Sequence, residues 1–210
     1  MDQSNQPLED IKIIKKIMEE STRFLSLSGL SGITAGVFAI AGAIAAKMII
    51  PESIINGQGY TESIAAAVDG QHITRLLLAD AAIVLVLALV SALFFSIRKA
   101  WKNGQKIWTP VTRRLLLNLG IPLVAGGLFV IITLGRVPGW ALASSTLIFY
   151  GLALVNAGKF TLDEIYWLGV TEVATGLVSL LLPGYTLLFW GFGFGVLHIG
   201  YGLYMYIRYR

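Results

Sequence analysis

No cysteine occurs anywhere in this 210-residue chain. Disulfides, thiolate metal sites and cysteine nucleophiles are therefore excluded. Charge is almost as scarce. Asp, Glu, Lys and Arg make up 13% of the sequence, against roughly 25% in an ordinary globular domain. There are two histidines, His72 and His198. Only His198 lies in an apolar segment, which excludes a bis-histidine haem within one chain. The His-Glu-x-x-His helix of zinc proteases, the P-loop, the Gly-x-Ser-x-Gly elbow and an aspartate-rich pair for prenyl chemistry are all missing. Ser28, Ser31 and Ser91 fall in apolar segments, but nothing singles out one as a nucleophile. The expectation is no cofactor, no metal and no soluble-type active site; an enzyme is the less favoured reading.

What the chain has instead is apolar surface. Hydrophobic residues reach 56% and the mean hydropathy is +0.74. So apolar a chain cannot cover itself with polar groups in water, so lipid must solvate much of it. Six apolar segments are each near the ~20 residues that span ~30 Å as helix. They fall at about 24–50, 74–98, 114–135, 139–158, 164–182 and 185–207. The breaks carry Pro51, Asn103-Gly104, Pro110, Pro138-Gly139 and Pro183-Gly184, residues that punctuate helices. The first apolar stretch is longer than the ~7–15-residue core of a signal peptide and reads as a span that stays. The expected fold is an all-α six-span bundle, 24–210, behind an N-terminal segment 1–23. Within that segment Leu8, Ile11, Ile14 and Met18 form one helical stripe, which suits a helix lying in the cytoplasmic headgroups or packed on a neighbouring loop. Residues 51–73 form the long outer loop, with His72 a solvated histidine in it.

Orientation follows from the basic residues. Lys12, Lys15, Lys16, Arg23, Arg98, Lys99, Lys102, Lys106, Arg113, Arg114, Lys159, Arg208 and Arg210 fall on one side; Lys47, Arg75 and Arg136 fall on the other. Thirteen against three places both termini in the cytoplasm by the positive-inside rule. The net charge of +4 is then a topology signal rather than a nucleic-acid footprint. The 98–114 connection, with Trp101 and Trp108, is expected to lie on anionic lipid of the inner leaflet. Partners are the lipid bilayer and, where the chain self-associates as a homo-oligomer, further copies of itself.

The odd spans align without gaps: Gly29–Gly36, Gly120–Gly127 and Gly169–Gly176, each a glycine at both ends of eight residues. The even spans align more loosely around 88–92, 153–157 and 195–199. Three helical hairpins of one ancestral unit account for this. Glycines seven apart share a helix face and permit close helix approach, so Gly29, Gly32, Gly36, Gly120, Gly127, Gly169 and Gly176 are candidate packing positions. Pro122 with Gly126-Gly127 could supply a break in span 3. The hairpin 166–207, with its Gly-rich odd helix, Pro183-Gly184 turn and late glycines, resembles the HdeD-like acid-resistance membrane proteins. The match is best in spans 5–6, fair in 3–4 and poor in 1–2. The run from Met18 to Gly32 resembles the start of a group of uncharacterised bacterial six-span proteins. These resemblances imply a bacterial cytoplasmic (inner) membrane and a role in stress or envelope homeostasis, and bring no catalytic motif.

Ionisable groups inside a span are functional candidates by default. Glu172 lies 11 residues before the Pro183-Gly184 turn and His198 14 residues after it, ~17 Å and ~21 Å along their helices. The two fall near one depth on adjacent helices, where a carboxyl–imidazole pair is feasible, as a structural link or as a proton relay. Asp80 is expected two turns into span 2 from the outer side, as a snorkelling interfacial acid first, with pairing to Arg75 or a water-filled vestibule as the other readings. Asn156 and Ser91 align with His198, so the three polar groups could converge towards the cytoplasmic side if the repeat holds; equally, Asn156 could mark a span terminus at the headgroups. The sequence thus supports a non-enzymatic homeostasis protein first, and a small proton-linked transporter or channel second.

Overall fold

A computed structural model describes residues 24, 27–50, 70–104 and 106–209. The segment 1–23 and most of the outer loop lie outside them. The described residues are all-helical, with six helices long and apolar enough to cross a membrane: α1 (Gly29–Ile49), α2 (Gly70–Lys102), α3 (Pro110–Thr133), α4 (Gly139–Gly158), α5 (Asp163–Leu181) and α6 (Pro183–Arg208). The chain is a multi-pass membrane protein.

Two helices exceed their expected bounds. α2 extends from 70 to 102 because nothing between those residues breaks a helix, and Lys99 and Lys102 in its last turn complement the negative end of the helix dipole. His72 consequently sits in the first turn of α2 rather than in a loop, and is exposed. α3 starts at Pro110, where the fixed φ of proline suits a first helical position, and Thr109 caps it by accepting the Thr112 N–H at 3.1 Å. The expected break in span 3 is corrected: α3 runs unbroken through Pro122. One missing N–H is tolerated within a long helix of this kind. The irregular element is α6. It begins as a 3-10 turn (Pro183–Tyr185) and one α turn (Thr186–Trp190). A π-helical stretch (Gly191–Leu197) follows, and α-helix resumes over His198–Arg208. Gly104 (φ 63°) and Gly135 (φ 76°) take the left-handed conformation in the turns after α2 and α3, where a side chain would be strained.

Neighbour contacts run α2–α1–α6–α5–α4–α3, with α6 leaning on α4 as well, while α2 and α3 barely touch each other. The core lies among α4, α5 and α6, where Leu147, Leu154, Ile165, Leu168 and Met205 are buried. Only 6% of the apolar window of α2 and 11% of that of α3 are buried, against 44% for α4. α2 and α3 are thus the two edges of the bundle. The segment entering α1 is stitched to the α4–α5 turn: the Phe24 N–H donates to the Phe160 carbonyl at 2.7 Å, and the Thr161 hydroxyl to the Phe24 carbonyl at 2.6 Å.

Glycine permits two close interfaces in which helix backbones meet. A Cβ on Gly36 would meet the Gly195 carbonyl oxygen at 2.6 Å and the Ile199 side chain at 2.7 Å, both on α6. One on Gly32 would lie 3.1 Å from Gly202 Cα, and Gly29 abuts Gly202 and Tyr206. On the other side, Gly169 faces the Gly151 carbonyl and the Val155 nitrogen of α4, each 2.7 Å from a Cβ, and Gly176 faces Ile148 at 2.7 Å. Gly120 and Gly127 differ. No described atom lies within 4 Å of a Cβ on either, and α3 instead meets α4 through Gly126 against Phe149.

Candidate functional site

The π-helical stretch explains how a polar site forms in so apolar a bundle. A π turn inserts an extra residue and disturbs the backbone ladder, and such turns gather at functional sites. Here the run Gly191, Gly193, Gly195 permits it, and Gly193 leaves room for a side chain from α5. A Cβ at 193 would lie 2.6 Å from Glu172 Oε2 and 2.5 Å from Leu147 Cδ2. Glu172 is fully enclosed, and the side chain of His198 is 8% exposed.

The structure brings Glu172 and His198 together. Glu172 Oε1 lies 3.2 Å from His198 Nδ1, and the Gly193 carbonyl oxygen lies 3.1 Å from the same nitrogen. These two oxygens compete for one ring hydrogen. It is directed at the carbonyl, so neither carboxyl oxygen receives a directed hydrogen bond, and Glu172 meets the ring at ion-pair distance without hydrogen-bond alignment. An acceptor-only carbonyl at Nδ1 fixes the hydrogen there, so in the neutral ring Nε2 accepts. Its donor is the Tyr150 hydroxyl, 2.8 Å away on α4. Phe194 closes the site, its ring centroid 5.1 Å from that of Tyr150 and 6.1 Å from that of His198, and Trp190 stacks behind it at 4.9 Å. Three helices meet in one chain of polar atoms, from the Tyr150 hydroxyl through the imidazole to the Glu172 carboxyl. An imidazole held between two such groups can take a proton at one nitrogen and release one at the other.

Further buried polar links brace the surroundings. Ser144 and Ser179, both fully buried, share a hydrogen bond at 2.8 Å between α4 and α5. Trp190 Nε1 donates to Thr146 at 3.2 Å, tying α6 to α4. At the end where α5 begins and α6 finishes, a cavity of about 270 Å³ is lined by Asp163, Glu164, Trp167, Tyr201, Tyr204 and Arg208. Tyr201 stands three residues, about one turn, beyond His198. The buried Glu164 carboxylate accepts from the Tyr209 hydroxyl at 3.0 Å and from Arg208 at 3.3 Å. Burial first, and the Glu164 hydrogen bond second, push the Tyr209 hydroxyl above its ordinary value.

The other expected site residues stand apart. Asp80 is half-buried on α2, its carboxylate beside Gly42 of α1. The Asn156 side-chain carbonyl accepts from Lys159 at 3.4 Å near the end of α4. Ser91 turns back to the Ala88 carbonyl of its own helix at 2.9 Å. The expected convergence of Ser91, Asn156 and His198 is therefore corrected, because α2 packs on α1 and not on α4 or α6. Tyr150 was not singled out from sequence, although it is the one tyrosine in span 4. No metal-binding group of three or more ligating side chains occurs among the described residues. No family model, curated protein or solved structure matches the chain.

Proposed function

We propose that the protein is a non-enzymatic membrane protein of stress or envelope homeostasis in the bacterial cytoplasmic membrane, with both termini in the cytoplasm. The Glu172–His198–Tyr150 cluster is its internal polar element. The observation that carries this reading is the enclosure of Glu172: no part of its carboxyl group reaches solvent. A catalytic or transported group must meet its partner, and among the described residues this one has Leu147 and Tyr150 of α4 and Gly193 and His198 of α6 around it. In that setting the cluster ties three helices together, Tyr150 to His198 by a hydrogen bond and His198 to Glu172 at ion-pair distance. The basic connection between α2 and α3 supports a contact with anionic lipid, and lipids or partner proteins are what such a protein would act through.

A small proton-linked transporter is the second reading. One observation favours it: the 270 Å³ cavity is lined by Tyr201, which follows His198 by about one turn of α6. Proton flux separates the two. Liposomes carrying wild type and Glu172→Gln, loaded with a pH-sensitive dye and given a potential, should leak protons equally and at the rate of empty vesicles. Flux above background in wild type, abolished in Glu172→Gln, would overturn the homeostasis reading in favour of transport.

A further inference from the structure

We infer that the exposed edges of α2 and α3 form a self-complementary interface, through which two copies of this chain pair about a two-fold axis along the membrane normal. The starting point is an interface made twice within one copy. In α1 against α6 and in α5 against α4, an odd-numbered helix presents glycines seven residues apart to the backbone of an antiparallel even-numbered helix. The contacts correspond: Gly29 meets Gly202 and Tyr206, as Gly169 meets Gly151 and Val155, and Gly36 meets Ile199 as Gly176 meets Ile148. The remaining odd helix, α3, carries the same pair, Gly120 and Gly127, and among the described residues nothing stands against it. The remaining even helix is α2, and it barely touches α3. One of three equivalent contacts is unmade, and both of its halves are exposed on the same molecule.

The faces point the right way. On α1, Gly42 meets Val84 of α2, and Gly36 lies about 120° round the helix from it at 3.6 residues per turn. On α3, Gly126 meets Phe149 of α4, and Gly127 lies about 100° round in the same sense. The glycine face of α3 therefore continues the pattern set by α1. On α2, the side opposite Val84 presents Val86, Leu89, Val90 and Leu93, exposed at 57%, 51%, 60% and 60%. Flat β-branched and leucine surface against a glycine groove is the shape relation of close helix packing in membranes.

The occupant must be a helix running antiparallel to α3, which α2 of a second copy is. A two-fold axis along the membrane normal leaves every helix direction unchanged. It sets α3 of each copy on α2 of the other, so the missing contact is made twice and no edge remains, as a closed two-fold assembly requires. Closure within one chain and simple coverage by lipid are the competing occupants.

The natural absence of cysteine makes the test clean. Single-cysteine variants Gly127→Cys and Val86→Cys, 13 residues from Arg114 and 12 from Arg98 and so near one depth, are co-reconstituted as full chains in liposomes and oxidised. A disulfide between the two different chains is expected, with none when Leu177→Cys, on an exposed face of α5, replaces either. Subunit counting by single-molecule photobleaching should give dimers for wild type. Gly127→Ile should weaken association by about tenfold or more while leaving the thermal unfolding midpoint of the monomer in place, because no described atom stands near position 127. Three results would overturn the proposal: monomeric wild type, dimers of unchanged strength in Gly127→Ile, or a crosslink that forms only inside a single chain carrying both cysteines.

Discussion

A methyl group at position 193 would have to displace two enclosed side-chain tips. The Cβ of alanine there would press on Glu172 Oε2 at 2.6 Å and on Leu147 Cδ2 at 2.5 Å, and the carboxyl group is already fully enclosed. Position 200, two turns on in the same helix, faces open space. Gly→Ala in a helix gains up to ~1 kcal/mol of propensity, whereas overpacking a tight core costs ~1–3 kcal/mol. Gly193→Ala should thus lower the thermal midpoint in detergent micelles, and Gly200→Ala should leave it unchanged or raise it slightly. Equal midpoints for the two variants would show that the carboxyl seat is loose and that Glu172 does not depend on this glycine.

Between elements, the same reasoning ranks the helix interfaces. A Cβ on Gly169 would strike the Gly151 carbonyl oxygen and the Val155 nitrogen, both backbone atoms of α4, which cannot swing aside as a side-chain tip can. Gly169→Ala should therefore cost near the upper end of ~1–3 kcal/mol, measured by equilibrium unfolding in mixed micelles. Gly120→Ala, with no described neighbour, should cost nothing in the dispersed monomer; a loss equal to that of Gly169→Ala would refute this ranking. Sequence pattern reaches these positions unevenly. Glycines seven apart mark a face in all three odd helices, but which faces are covered depends on how six helices share neighbours, and spacing along one helix carries no such information. The depth of Glu172 and His198 was legible because they flank one short turn and each residue adds a fixed ~1.5 Å. Tyr150 was not, since it reaches His198 from a helix that is not its sequence neighbour. The irregular helix is the sixth span and not the third for a related reason. Pro122 removes one N–H and α3 absorbs the loss, whereas the glycines from 191 to 195 offer no side chains to hold a regular turn against the carboxyl group beside them.

For the whole molecule, the basic residues and the helix ends make a joint statement about orientation. Arg98, Lys99 and Lys102 end α2, and Arg113 and Arg114 begin α3, so one short connection concentrates positive charge. Lys99 is held by the Leu27 carbonyl at 2.9 Å, which ties that end of α2 to the entry of α1. The turn between α3 and α4 has Arg136 alone. Retention of Lys and Arg on the cytoplasmic side orients short-looped bundles, so the α2–α3 connection should face the cytoplasm and the α3–α4 turn the opposite side. Since the chain has no native thiol, one introduced cysteine reports its own side. Asn103→Cys and Gly139→Cys both fall at exposed positions outside the left-handed glycines. In intact bacterial cells stripped of their outer membrane, a membrane-impermeant maleimide should label Gly139→Cys directly and Asn103→Cys only after the membrane is opened. The reverse pattern would invert the bundle, and labelling of both sites in sealed cells would remove α3 as a span.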